Sequence, residues 1–129
     1  MAYNPGTTRV DIVLANNTTW DDQFQFGYPD DQSWNLVGAS FLLAVNYWQE
    51  IGDRPSAPQT PIVEFTSAAG TITVVDTTQR ILAMNVPMAT TQQYLPPGSY
   101  VYDLIMVNPS GTRDGLMWGK LEVVPGITP

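Results

Sequence analysis

Carboxylates are the side chains most able to do chemistry in this 129-residue chain. Asp21-Asp22 and Asp30-Asp31 form two pairs, one on either side of an aromatic stretch. Paired carboxylates can serve as the acid and base of a glycosidase, or bind calcium through oxygen. Neither pattern is specific here. Adjacent strand residues point to opposite faces, so a pair converges only within a loop. The Asp-x-Asp-x-Asp-Gly pattern of a calcium loop is missing. Solvated turns near strand ends are the simpler reading. The chain has no histidine and no cysteine. That removes Ser-His-Asp triads, thiol nucleophiles, thiolate zinc sites and disulfides. There is neither a Walker-type loop nor a dinucleotide fingerprint. The expectation is a protein that is not an enzyme, with no catalytic residue, cofactor or metal.

Charge narrows the partners. Twelve carboxylates face five basic residues, Arg9, Arg54, Arg80, Arg113 and Lys120, for a net charge of −7. The basic residues are scattered singly, so nothing neutralises a row of phosphates, and an anionic membrane would repel the chain. Neither nucleic acid nor membrane is expected as a partner, and the acidity serves solubility first. No apolar run approaches the ~18 residues of a membrane span. The opening MAYNPGTTRV lacks the basic region and apolar stretch of a secretory signal. The overlapping glycosylation acceptors in Asn16-Asn17-Thr18-Thr19 therefore read as a loop.

The elements that must position these groups are strands. TTRVDIVL alternates Thr8, Val10, Ile12 and Leu14 against Arg9 and Asp11, the period-2 signature of a half-buried strand. WDDQFQFGY places Trp20, Phe24 and Phe26 on one parity. SFLLAVNYW carries Phe41, Leu43, Val45 and Tyr47 on one face and Leu42, Ala44, Asn46 and Trp48 on the other. A proline-rich loop, QEIGDRPSAPQTP, closes the first half. PIVEFT and TITVV, separated by SAAG, predict a hairpin, and RILAMNV alternates in turn. PMATTQQYL predicts one or two helical turns, stopped by Pro96. SYVYDLIMV and LMWGKLEVV flank the turn NPSGTRDG, with Gly119 expected to break the register of the last strand. Seven to eight short strands at ~8–12-residue spacing predict an all-β chain folded as an immunoglobulin-like antiparallel β-sandwich. It occupies 1–129 as a single domain, with flexible arms at about 1–6 and 125–129.

The stretch LPPGSYVYDL fits the corner of such a sandwich. Gly98 makes the turn and Pro96 and Pro97 stiffen it. Tyr100 returns its hydroxyl to upstream backbone, and Tyr102 enters the core. Asp103 then stands on an otherwise apolar row and needs a partner, with Arg80 or a neighbouring subunit as candidates. Of the four tryptophans, Trp34 in the loop DDQSWN is placed where a sugar-stacking platform usually lies. Three strands look apolar on both faces, whereas monomers rarely expose large apolar patches. Either loops or another chain must cover the second face. Trp48, Val101, Asp103, Ile105 and Trp118 are the candidate interface.

The segment LPPGSYVYDLIMVNPSGTRDGLMWGKLEVVPGIT resembles the C-terminal part of a group of small bacteriophage virion proteins. Their pattern is a leucine-proline turn, Gly-x-Tyr-x-Tyr-Asp-Leu, a variable hairpin, then Gly-x-x-x-Val and a threonine tail. WDDQFQFGYPDDQSWNLVGASFLLAV is similar to their opening, an aromatic strand and acidic turn leading to Asn-Leu-x-Gly. The chain resembles the N-terminal immunoglobulin-like module of phage baseplate upper and tail-fibre attachment proteins. The resemblance implies a non-enzymatic virion subunit, made in the bacterial host cytoplasm. It would join tail, baseplate, neck or fibre components through contacts with other virion proteins, as a homo-oligomer or ring. A capsid decoration protein of the same fold, or a carbohydrate-binding module for host adsorption, are the alternatives.

Overall fold

A computed structural model describes residues 8–28, 30, 33–48 and 60–128. The expected arm over 1–6, Asp31, Arg54 and most of the proline-rich loop lie outside the described residues. The strands are β1 (Ile12–Ala15), β2 (Gln23–Gln25), β3 (Ser40–Tyr47), β4 (Val63–Thr66), β5 (Ile72–Asp76), β6 (Ile81–Met84), β7 (Gly98–Val107) and β8 (Arg113–Val124). A short helix, α1 (Met88–Tyr94), links β6 to β7. It starts after Pro87, and its last turn closes with Leu95 N–H on the Thr91 carbonyl at 2.8 Å. Pro96 and Pro97 prevent further extension.

Two sheets pack face to face, one ordered β1-β8-β7-β3-β4 and the other β2-β6-β5. This is the immunoglobulin-like arrangement, with the second, fifth and sixth strands opposite the third, seventh and eighth. The core forms where the alternating rows meet. Phe41, Leu43 and Val45 of β3, Tyr100, Tyr102, Leu104 and Met106 of β7, and Leu121 and Val123 of β8 come from the larger sheet. Ile72, Leu82, Met84 and Val86 come from the smaller one, with Trp20 edge-on to Phe65 at 5.7 Å.

Four local expectations need correction. The SAAG segment is not a hairpin turn: β4 belongs to the five-stranded sheet and β5 to the three-stranded one. The Thr71 hydroxyl takes the Thr66 N–H at 2.9 Å, which ends pairing and sends the chain across to Asn85, whose N–H bonds the Thr71 carbonyl. The first strand pairs in parallel with β8, from Ile12 opposite Leu121 to Ala15 opposite Val124, so one edge is not antiparallel. Gly119 stays in register with Tyr102, and the irregularity instead falls between Gly115 and Met117, opposite Leu104 and Ile105. Residues 125–128 do not leave as a free arm. The Asn17 amide donates to the Thr128 carbonyl at 2.8 Å, and a Cβ on Gly126 would lie 1.8 Å from the Asn17 side chain.

Candidate functional site

The corner forms around β7. The buried Tyr100 donates its hydroxyl to the Pro96 carbonyl at 2.5 Å, four residues upstream. Gly98 packs beneath that ring, its virtual Cβ 3.8 Å from the Tyr100 Oη. Exposed Tyr47 stacks on Tyr100 with centroids 5.9 Å apart. Tyr102 is 1% exposed and does more than fill the core. Its hydroxyl passes over Gly119, its pairing partner, and donates to the Val10 carbonyl at 2.6 Å. A Cβ on Gly119 would sit 2.0 Å from that carbonyl oxygen, so only glycine lets the amino-terminal segment lie down here. Burial pushes the Tyr102 hydroxyl well above the usual tyrosine range.

Outward residues of β3, β7 and β8 form the second face expected from the sequence. One cross-strand row runs Arg9, Trp118, Asp103, Ala44, Glu64. The next places Val101 between Lys120 and Asn46, with Trp48 and Trp118 on its diagonals. Val101 is 7% exposed, which is unusual for an outward position. Residues 8–11 run beside this row. They lie along β8 through Val10 N–H to the Trp118 carbonyl at 2.8 Å and Trp118 N–H to the Thr8 carbonyl at 3.2 Å. The Arg9 guanidinium stands 5.4 Å from the Trp48 ring centre and 5.3 Å from that of Trp118. Asp11 fixes its orientation at 2.9 Å and also accepts the Lys120 backbone N–H at 3.0 Å. Arg9 first, then that N–H, holds the Asp11 carboxyl below its ordinary range. Lys120 adds a second cation 5.4 Å from Trp48 and meets Glu122 at 3.4 Å.

The face is thus partly self-covered. Each cation–π contact is worth about 0.5–1 kcal/mol at such exposure. Leu42, Ile105 and Val107 are half-buried and form the part of the face away from the tryptophan cluster, with half-buried Ala44 and Asp103 between them and Trp118. Arg80 does not meet Asp103. It is fully buried at the turn between β5 and β6, while Asp103 points out of the other sheet.

The role of Arg80 at this turn is what the sequence reading missed. Its backbone is left-handed, with φ of 58°. Its guanidinium donates to the carbonyls of Phe26 at 2.8 Å, Thr78 at 2.8 Å and Trp34 at 3.2 Å, and also to that of Tyr28. It also lies 5.3 Å from the Trp34 ring centre. Trp34 is half-buried, and this cation occupies one face of the ring a sugar would stack on. The carboxylates serve turns and anchors. Asp22 accepts the Trp20 indole N–H at 3.0 Å, Asp76 the Gln79 N–H at 2.9 Å, and Asp114 the Asn108 amide at 2.7 Å. Among the described residues no group of three or more His, Cys, Asp or Glu could hold a metal ion. Among the described residues no helix is long and apolar enough to cross a membrane.

Comparison with known proteins adds little. No protein-family model matches the chain, and no curated protein sequence matches it. Among solved structures it is similar to CopC from Methylosinus trichosporium OB3b, at 13% identity over 95% of this chain and 90% of that one, with a TM-score of 0.44.

Proposed function

We propose that the chain is a non-enzymatic structural subunit of a bacteriophage virion, docking through the outer face of its five-stranded sheet. The observation that carries this reading is that face: β3 and β7 keep a half-buried apolar band, Leu42, Ala44, Ile105 and Val107, on the side away from the core. Monomers rarely keep such a band without a partner. The segments 20–45 and 95–128, which resemble phage virion modules, supply β3, β7 and β8 of this sheet and β2 of the other. A partner in the tail, baseplate, neck or fibre would bury the band and leave Trp48, Trp118 and their cations as its rim.

Mass spectrometry of purified particles from the phage encoding the chain tests the assignment. The chain should be present at a fixed copy number. Its absence from intact particles sinks the proposal. Ile105→Arg places a charge in the band without touching the core; it should keep the thermal midpoint within a few degrees and lose incorporation.

A further inference from the structure

The two sheets are unequal, and a cleft of about 280 Å³ opens on the side of the smaller one. Its floor and walls are Val10, Phe24, Leu116 and Met117, with Gln23 and Gln25 along its lip. Beyond β2 the three-stranded sheet has no further strand among the described residues. The backbone polarity of that edge follows from the ladder. Met84 N–H bonds the Asp22 carbonyl at 2.8 Å and Phe26 N–H the Arg80 carbonyl at 3.0 Å. Asp22, Phe24 and Phe26 therefore point their N–H and C=O at β6, and the register puts Gln23 and Gln25 opposite Ala83 and Ile81 as the outward pairs. Two N–H donors and two carbonyl acceptors face the open side.

The facing wall is built and held. Val10 is fixed from two directions, by its N–H on the Trp118 carbonyl and by the Tyr102 hydroxyl on its own carbonyl. A rigid wall lowers the ordering cost of any guest. The cleft is smaller than the ~300–1,000 Å³ typical of small-molecule sites. No charged side chain lines it. Its shape and chemistry suit alternate apolar side chains of an extended strand, whose other face would remain in water. Exposed Asp21 and Asp22 stand directly before the edge.

We propose that the free edge of β2 receives an extended strand from a different polypeptide, with apolar side chains at alternate positions and a lysine or arginine at the end that meets Asp21 and Asp22. A second copy of this chain is disfavoured by its charge of −7. The inference does not depend on the virion reading.

The test uses the acetylated, amidated peptide KVTVTVK at millimolar concentration, with NMR-detected amide exchange. Exchange at the Gln23 and Gln25 amides should slow about tenfold or more on binding, while Phe24, already bonded to β6, changes little. Gln23→Pro removes an outward N–H only, as an edge strand tolerates, and should abolish the protection at Gln25; Gln23→Thr should keep it. Of two peptides N-methylated on alternate amides, the one blocked along the bonding edge should fail and the other bind. Equal behaviour of the two, or no slowing at Gln23 and Gln25, overturns the proposal. So does protection of those amides in the free protein, which would mean that the edge is already occupied by its own chain or by a second copy.

Discussion

Replacing Arg80 should be the most damaging single change outside the apolar core. Its side chain donates four hydrogen bonds to backbone carbonyls. A hydrogen bond involving a charged partner contributes about 1.5–3 kcal/mol. Against this stands the desolvation of a buried cation, several kcal/mol per ion. The balance for Arg80→Ala, which leaves four carbonyls without their donor, is a loss of about 3–5 kcal/mol. A domain of this length holds roughly 6–19 kcal/mol in total. With a urea dependence of about 2 kcal/mol/M, the unfolding midpoint falls by about 2 M. Tryptophan fluorescence is the assay, since loss of the guanidinium frees a face of Trp34 and should shift its emission to the red. Arg80→Lys keeps the charge, but a single ammonium cannot span four carbonyls in fork geometry. It should recover less than half of the loss. A midpoint within about 0.5 M of wild type for Arg80→Ala would refute the reasoning, because the fork would then contribute nothing net. Full recovery by lysine would assign the effect to charge alone.

Three further outcomes follow from the corner and the clasp. Tyr100→Phe removes the hydroxyl from the Pro96 carbonyl and should lower stability by about 1–2 kcal/mol, read as a drop of about 3–6 °C in thermal midpoint; no change would make the corner bond decorative. Gly119→Ala drives a methyl into the Val10 carbonyl and should lift residues 8–11 off β8 at a cost of about 1–3 kcal/mol, seen as faster amide exchange at Val10 and Trp118. Burial raises the hydroxyls of both Tyr100 and Tyr102, with Tyr47 a second cause for Tyr100. The folded state therefore retains protons that the unfolded state releases above pH ~10. The tyrosine contribution should be flat below that pH and fall as the pH climbs past it, and Tyr102→Phe should show a shallower alkaline fall in calorimetry.

What could be read from sequence was whatever period 2 controls. The alternation in SFLLAVNYW, SYVYDLIMV and LMWGKLEVV places β3, β7 and β8 and their buried rows, because the side-chain period is fixed by the pleat. LPPGSYVYDL carries the corner because its bond spans only four residues. The misread features depend on partners distant in the chain. SAAG looks like a hairpin turn locally, and the fate of the Thr66 N–H is settled by the Thr71 hydroxyl and by the pairing of Thr71 with Asn85. Gly119 looks like a break in a strand, yet its reason is the Val10 carbonyl lying on it. Arg80 reads as one of five scattered cations and a candidate partner for Asp103. Only the convergence of Phe26, Tyr28 and Trp34 on the β5–β6 turn explains why it is buried, and no local pattern contains that. The Asn17 anchor on Gly126 was hidden in the same way, as a polar turn residue paired with the far end of the chain.

The two surfaces share one short segment. Arg9 turns its side chain to the outer face, between Trp48 and Trp118, while its neighbour Val10 lines the cleft beside β2. The Tyr102 hydroxyl and the Asp11 carboxylate tie this segment to the core and to β8. A partner that displaced Arg9 from its tryptophans would loosen the wall against which an added strand must pack. A strand seated in the cleft would press Val10 back onto Gly119 and favour the stacked position of Arg9. Coupling of this kind is reciprocal. Arg9→Ala, far from the β2 edge, should therefore weaken peptide protection of the Gln23 and Gln25 amides by about fivefold, the size expected for a coupling near 1 kcal/mol. Unchanged protection in that variant would show that the face and the cleft act independently, and that the clasp around Val10 serves stability alone.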